Sequence, residues 1–258
     1  MATAGRWPTC SLTDVTDLER MPRGGPDASC LDRLLETDRP EYLDRADIDP
    51  AVKRSVVDAL EWTGRVFGNH EACAQLVLDE VAEVPDPRIL ELGAGHGALS
   101  ALILDAHPTA TVTVTDIEPD SVAAMAAGEL GSHPRAAVRE MDATAIDAPD
   151  SHFALAVFAL SFHHLPPPTA AAVLAEGTRV ADKLLIIDLP RPPAPLHVLR
   201  LATMAPLAPF VPFVHDGLIS SLRSYSPSAL RALADHAGVD IVLRGGLLRP
   251  QVVVAVRR

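Results

Sequence analysis

The residues best suited to chemistry in this sequence are three glycines, Gly93, Gly95 and Gly97. They follow a short, mostly apolar run at residues 89–92, and a helix-like pattern begins at Ala98. A glycine turn between a strand and a helix brings backbone N–H groups and the positive end of the helix close to a ligand. Because Gly93-x-Gly95-x-x-Ala98 also satisfies the dinucleotide fingerprint, the motif indicates an adenosine-bearing cofactor without saying which one.

Three acidic residues near the ends of predicted strands distinguish between the candidate cofactors. Glu91 stands two residues before Gly93, where dinucleotide dehydrogenases usually keep an apolar residue, and an acid there suits a ligand with an amino or sulfonium charge. Asp116 can accept hydrogen bonds from both ribose hydroxyls, a feature that NAD and S-adenosylmethionine sites share. Asp142 can accept the exocyclic amine of adenine while the N–H of Ala143 meets a ring nitrogen. Together these residues favour S-adenosylmethionine.

Four motifs make the sequence resemble the class I S-adenosylmethionine-dependent methyltransferases, and within them the small-molecule branch. That branch includes ubiquinone/menaquinone-biosynthesis and natural-product methyltransferases. The motifs are Glu91-x-Gly93-x-Gly95-x-Gly97, Thr-Asp-Ile-Glu-Pro at 115–119, Met-Asp-Ala at 141–143 and Phe-Ala-Leu-Ser-Phe-His-His-Leu-Pro at 158–166. The resemblance covers about residues 70–189. It departs from the family at Ala154, where an aspartate is common.

The resemblance implies S-adenosylmethionine as the cofactor and a set of residues that bind it. They are, in chain order, Glu91, Gly93, Ala94, Gly95, Gly97, Asp116, Ile117, Asp142, Ala143 and Phe158. The glycine loop would approach the methionine moiety, and Glu91 would organise that loop and the amino group. Asp116 would hold the ribose, Ile117 would pack on adenine, and Phe158 would line the methionyl end. Simpler roles stay open for two of these residues, a helix cap for Asp116 and a solvated loop position for Asp142.

His163 and His164 are the candidate catalytic residues, because an imidazole can take a proton from an acceptor hydroxyl near neutral pH. A packing or capping role for this pair at a strand end is the alternative. The sulfonium already makes its methyl group electrophilic, so the enzyme chiefly has to align the acceptor. We therefore expect methyl transfer to a small, largely apolar metabolite, with O-methylation slightly favoured over C- or N-methylation. No Asp, Glu or His cluster is spaced as metal ligands along the sequence, so no metal site is expected.

From residue 85 onward, strand and helix patterns alternate with short loops, which predicts a parallel, doubly wound α/β sheet. A hairpin is indicated at the end of the chain, where Gly245-Gly246 separates two predicted strands. The resemblance makes this a Rossmann-like, seven-stranded methyltransferase sheet with an antiparallel last strand, over residues 85–258. Residues 28–84 are expected to form a preceding helical segment, in which Asp49-Pro50 is a helix start.

Two segments differ from this alternating pattern. Residues 1–27 contain several glycines and prolines with little periodicity, which predicts a flexible N-terminal arm. Residues 190–226 combine seven prolines before His215 with many apolar side chains, and the segment is too long for an ordinary connection. We expect it to cover the carboxyl edge of the sheet and the substrate. An interface in a homodimer is an equally open interpretation.

Composition excludes several classes of partner. The net charge is −12 and only two lysines occur, which argues against nucleic acid, since phosphate binding needs clustered basic residues. No apolar run is long enough to span a membrane, and no signal peptide is visible. The cysteines show no paired spacing. We therefore expect a cytoplasmic enzyme with a small-molecule substrate. Two rival functions remain. An NAD(P)-dependent oxidoreductase would leave Glu91 and Asp142 without a role, and a catalytically silent methyltransferase-like binding subunit would not need the full motif set.

Overall fold

A seven-stranded sheet forms the centre of the structure, which is a computed structural model describing residues 18–246 and 249–258. Its strands are β1 Arg88–Leu92, β2 Thr111–Asp116, β3 Ala136–Glu140, β4 Leu155–Ala159, β5 Leu184–Asp188, β6 Val239–Gly246 and β7 Arg249–Arg257. The order across the sheet is β3-β2-β1-β4-β5-β7-β6. β7 runs antiparallel to both β5 and β6, whereas β1 to β5 pair in parallel. The predicted Rossmann-like methyltransferase sheet with an antiparallel last strand is therefore confirmed.

Helices lie on both faces of the sheet and before it. They are α1 Cys30–Leu34, α2 Pro50–Phe67, α3 Asn69–Glu80, α4 Ala98–Ala106, α5 Pro119–Ala127, α6 Glu129–Ser132, α7 Pro167–Val180, α8 Ala194–Met204, α9 Pro212–Arg223 and α10 Pro227–Ala237. Short 3-10 helices span Leu18–Arg20 and Phe162–His164. The predicted start at Asp49-Pro50 is observed, because the Asp49 side chain accepts a hydrogen bond from the Ala51 N–H at 2.7 Å. Pro119 near its start and Gly131 just after Leu130 predict a single helix over residues 119–130. The structure divides it into α5 and α6, since Gly128 adopts an extended conformation.

The hydrophobic core is divided between the two faces of the sheet, as alternation along β1 requires. Leu90 and Leu92 pack on one face, with buried residues of α7 and α10. Ile89 packs on the other face, with buried residues of α3 and α4. All five residues of β5 are buried, which is typical of a parallel strand covered by helices on both sides. Within the described residues, no helix has the length and apolar character needed to cross a membrane.

The N-terminal segment packs against the carboxyl edge of the sheet. Leu18 and Arg23 are buried, and the Arg23 guanidinium donates hydrogen bonds to the carbonyl oxygens of His163 (3.0 Å) and Leu165 (2.8 Å). Residues 18–27 are thus packed, in contrast to the flexible arm predicted over 1–27. A guanidinium can satisfy several buried carbonyls at once, and this long-range contact has no local sequence signal. Residues 1–17 of the predicted arm lie outside the described part of the chain.

The segment at residues 190–226 folds as α8 and α9 with short connections. α9 contacts α2 and the 3-10 helix Phe162–His164, which follows β4. These contacts place α9 over the carboxyl end of β4, the edge of the sheet at which a cover is predicted from the sequence. Whether it covers a substrate there stays a prediction.

Candidate active site

The glycine loop after β1 has the backbone conformation that only glycine adopts easily. Gly93, Gly95 and Gly97 have φ angles of 64°, 57° and 74°. A Cβ atom at Gly97 would overlap the Leu130 side chain, and one at Gly93 would lie 3.1 Å from Ser161 Oγ. A Cβ at Gly95 would meet no protein atom within 4 Å, so this residue faces the open side of the loop. The loop therefore presents bare backbone to a ligand at Gly95 and is packed tightly on either side.

Asp116, at the end of β2, is hydrogen-bonded to that loop. Its Oδ2 accepts from the Gly95 N–H at 2.7 Å, and its Oδ1 accepts from the Glu118 N–H at 2.9 Å. Ala94 is held from the same strand, since its N–H donates to the Thr115 carbonyl at 2.9 Å. The neighbouring Ile117 is 58% exposed although it is large and apolar. A carboxylate with lone pairs remaining, next to an exposed apolar side chain, suits the ribose and base of an adenosine.

Glu91 lies beneath the loop on the side of α4. Its carboxylate is buried and accepts a hydrogen bond from the Ser100 hydroxyl. Burial raises the pKa of Glu91 to about 7, with the nearby Asp116 acting in the same direction. This position supports the predicted role in organising the loop. The predicted role toward the amino group of a cofactor stays a prediction, because the carboxylate faces helix α4.

The remaining predicted cofactor residues lie on either side of this loop. Asp142 is exposed, and its Oδ1 accepts hydrogen bonds from the Thr144 N–H (2.8 Å) and hydroxyl (2.7 Å), which lower the pKa of Asp142. Ala143, the next residue, is half-buried. Phe158, at the end of β4, is buried and makes an edge-to-face contact with Phe162 at 5.8 Å between ring centroids. Asp142 thus has a second carboxylate oxygen to offer a ligand, as the adenine role requires.

His163 is fully enclosed between two carboxylates. Its Nδ1 lies 2.7 Å from Asp188 Oδ1, and its backbone N–H donates to Asp188 Oδ2 at 2.7 Å. Its Nε2 lies 3.5 Å from Oε1 of Glu41, which also accepts a hydrogen bond from Ser220 at 2.6 Å. Burial by itself would lower the pKa of His163, but Asp188 and Glu41 outweigh it and raise that pKa to about 9.

His164 lies beside it and is partly exposed. Its Nε2 is 3.8 Å from Glu41 Oε1, and its Nδ1 is 3.3 Å from Asp44 Oδ2. Arg223 of α9 lies against this group, donating to the His164 carbonyl at 2.6 Å and contacting Asp44 at 3.3 Å. We call Glu41, Asp44, His163, His164 and Asp188 the histidine cluster. The structure thus brings both predicted catalytic histidines together with three acids.

Sequence reasoning missed these three acids. The sequence could have indicated Asp188, because this acid ends a buried apolar strand in the same way as Asp116. Glu41 and Asp44 lie in an irregular stretch before α2, and no local pattern distinguishes them from other surface acids. Leu160 was missed too. It joins β4 to the 3-10 helix with a φ of 59°, a conformation that is strained for leucine and is often found near functional sites.

Several large apolar side chains of residues 190–226 are exposed. Leu199 is 62% exposed and Phe210 is 82% exposed, so these two face outward. A cavity of about 550 Å³ opens at the two ends of this segment, where Arg191 and Ser226 line it together with Arg231 and Leu243. No predicted site residue lines that cavity. The region between the glycine loop and the histidine cluster is therefore the candidate active site.

Comparison with known proteins agrees with this geometry. Residues 89–183 match a family model described as a methyltransferase domain, and this span includes the glycine loop, Asp116, Asp142 and both histidines of the cluster. Residues 89–183 are thus the part of the chain that is similar to a methyltransferase domain. A curated relative, the release factor glutamine methyltransferase of Deinococcus radiodurans, is 43% identical over 47 residues, which is 18% of this chain. That match spans only 17% of the relative's own length.

Solved methyltransferase structures share the fold of this domain and the strands around it. Human N-acetylserotonin methyltransferase in complex with SAM is 18% identical, with a TM-score of 0.56 over 86% of this chain and 64% of that chain. Magnesium protoporphyrin IX methyltransferase from Synechocystis PCC 6803, with bound SAH, is 16% identical, with a TM-score of 0.53 over 84% and 91%. An Aquifex aeolicus SAM-dependent methyltransferase is 18% identical, with a TM-score of 0.51 over 70% and 88%. At such identities the likeness is one of fold.

Proposed function

We propose that this protein transfers a methyl group from S-adenosylmethionine to a hydroxyl of a small, largely apolar molecule. The observation that carries the proposal is the position of the histidine cluster. His163 and His164 follow β4 directly, only a few residues after Ser161, whose hydroxyl lies against Gly93 of the glycine loop. A hydroxyl held beside the cluster would therefore be close to the methionyl end of the cofactor.

The residues around the loop fit the cofactor in its expected orientation. In this proposal, Gly93, Gly95 and Gly97, together with Ala94, accommodate the methionine moiety. At the other end, Asp116 and Ile117 bind the ribose and adenine, and Asp142 with Ala143 reads the adenine edge. Glu91 supports the loop from beneath, and Phe158 lines the methionyl end. The open side at Gly95 and the exposed face of Ile117 support this assignment.

Methyl transfer to a hydroxyl requires that the protein align the acceptor and help to remove its proton. When bound, the cofactor supplies an electrophilic methyl group and a good leaving group. The oxygen of the acceptor forms the new C–O bond, and its proton must leave as that bond forms. A group that assists such a proton transfer typically contributes about 10²–10⁴-fold in rate. We assign acceptance of the proton to His164, which is partly exposed, and this assignment is the reason for favouring O-methylation. His163 is enclosed and its raised pKa keeps the ring protonated near neutral pH, so its role in the pair would be to position the cluster.

The apolar character of the acceptor is inferred from the surfaces beside the cluster. Leu160, at the end of β4, is 38% exposed, and residues 190–226 contribute further exposed apolar side chains, among them Leu196 and Val211. Such side chains would cover an apolar acceptor if α8 and α9 closed over it. A homodimer contact is the other use that these exposed side chains would suit.

Two measurements test the proposal. Calorimetric titration with S-adenosylhomocysteine should show one site per chain, with NADH as the control ligand that does not bind. Labelled methyl transfer into hydroxyl-bearing, amine-bearing and carbon-acid acceptors should then favour the hydroxyl class.

A variant separates catalysis from cofactor binding. His164→Asn should lower kcat by about 10²–10⁴-fold and leave the affinity for S-adenosylhomocysteine unchanged. His236→Asn is the matched control, since His236 is an exposed histidine in the last turn of α10, outside the cluster. Equal activity of both variants would remove His164 from the reaction. A complete lack of cofactor binding would refute the proposal as a whole.

A further inference from the structure

Three side chains of the histidine cluster converge on one point. Oε1 of Glu41 lies 3.5 Å from Nε2 of His163 and 3.8 Å from Nε2 of His164. The candidate ligand atoms of all three residues lie within 4.8 Å of one another. Ligand atoms bound to one metal ion at about 2.0–2.2 Å have separations of this order. The three residues come from the segment before α2 and from the 3-10 helix after β4, so the convergence is a product of the tertiary fold.

Both imidazoles are oriented by a carboxylate behind them. Asp188 lies 2.7 Å from Nδ1 of His163, and Asp44 lies 3.3 Å from Nδ1 of His164. Because a carboxylate accepts hydrogen bonds, it holds the ring proton on Nδ1, and the lone pair of the neutral ring is then on Nε2. Carboxylate–histidine pairs of this kind are the usual outer shell of a metal site. The carboxylates therefore aim both Nε2 atoms at Glu41, where a binding cation would displace any proton on Nε2 and take its place.

The buried Nε2 of His163 lacks a hydrogen bond of ordinary length, although Glu41 Oε1 lies 3.5 Å away. His163 is only 3% exposed, and its Nε2 makes no hydrogen bond to any described residue. A buried polar atom without a partner is costly, and an unbound ion is one of its ordinary explanations. Ser220 orients the third ligand by donating to Glu41 at 2.6 Å.

We propose that Glu41, His163 and His164 form a binding site for one divalent transition-metal ion of the Zn²⁺ type. Two imidazoles and one carboxylate are a ligand set that zinc and its neighbours prefer, whereas Mg²⁺ prefers oxygen ligands. Three protein ligands also leave a position open for a further ligand. The expectation of no metal site rested on spacing along the sequence, in which Glu41 is far from the two histidines.

The role of the ion rests on the proposed function, although its binding does not. An acceptor hydroxyl at the open position would lose its proton more readily, because a bound cation lowers the pKa of an attached hydroxyl. That proton passes to water, the oxygen bonds to the methyl carbon, and the carbon–sulfur bond breaks with its electron pair remaining on sulfur. The cluster would then assist deprotonation through the ion.

Zinc binding by the full chain tests the inference without any methyl transfer. The protein, free of affinity tags and treated with a chelator, is titrated with Zn²⁺ alone and with Mg²⁺ alone in a calorimeter. One Zn²⁺ per chain and no Mg²⁺ is the expected result. Asp188→Asn should weaken zinc binding by roughly 10–100-fold, as the loss of an outer-shell partner does. Glu41→Gln and His164→Asn should weaken it further, and His236→Asn, at an exposed histidine of α10, should leave it unchanged.

Several outcomes would overturn the inference: no zinc bound at micromolar concentration, or equal affinity in wild type and Glu41→Gln. If the variants fail to fold, zinc-edge X-ray absorption of the wild type decides the question. Nitrogen and oxygen ligands at about 2.0–2.1 Å with two imidazoles support the site, and sulfur ligands refute it. Titration of the same sample with S-adenosylhomocysteine separates the two proposals. Zinc binding without cofactor binding would refute only the proposed function, and the reverse would refute only the metal site.

Discussion

Replacing Glu91 by glutamine should change how the stability of the protein depends on pH. The folded pKa of this buried carboxyl is raised from 4.5 to about 7. At about 1.4 kcal/mol per pKa unit, that difference corresponds to about 3 kcal/mol of unfolding free energy. Because the folded pKa lies above the unfolded one, this contribution is fully present below about pH 4.5 and is lost as pH rises through about 7. The wild type should therefore lose most of it between about pH 5 and pH 8.

The isosteric variant Glu91→Gln has no proton to lose, so it should not show this decrease. Its amide can still hydrogen-bond to Ser100, which keeps the packing beneath the loop. We expect its unfolding free energy, minus that of the wild type, to rise by about 3 kcal/mol from about pH 5 to about pH 8. Urea unfolding of both proteins across this range measures that difference. Glu83→Gln, at an exposed position after α3, is the matched control and should follow the wild type. Parallel profiles for all three proteins would refute the reasoning.

Three further predictions concern the loop and its surroundings. Asp116→Ala removes the hydrogen bond to the Gly95 N–H. It should weaken S-adenosylhomocysteine binding, measured by calorimetry, by at least about tenfold. An unchanged affinity would exclude Asp116 from the ribose role. Gly97→Ala should cost about 1–3 kcal/mol in urea unfolding, because its Cβ would overlap Leu130. Gly95→Ala has no such clash and should cost less stability while lowering cofactor affinity more, so the opposite ranking would contradict the loop assignment. Leu160→Gly removes the backbone strain of a leucine in the left-handed conformation. It should leave the melting temperature nearly unchanged and raise the KM for the acceptor. A large loss of stability would show that the leucine side chain matters chiefly for packing.

The fold could be predicted because its signals are local and repeated. The buried strands are short apolar runs, and each is followed by a helix pattern with its own start and stop residues. Gly128 shows the limit of this reasoning, since its extended conformation divides the helix that Pro119 and Gly131 predict over residues 119–130. Arg23 shows another limit, because a residue in a glycine- and proline-rich stretch is held by carbonyl oxygens more than a hundred residues away along the chain.

The amino-acid sequence by itself determined the sheet, the glycine loop and the class of cofactor, because those features depend on residues close together in the chain. Even Asp116 follows from this logic, since parallel strands end at the same edge and bring their terminal acids together. Only the tertiary structure decided the surroundings of His163. Glu41 reaches it from the segment before α2, and Asp188 reaches it from the end of β5. Such contacts depend on how distant elements pack against one another. Packing of this kind produces no regular spacing of residues in the sequence, so the cluster could not be predicted from it.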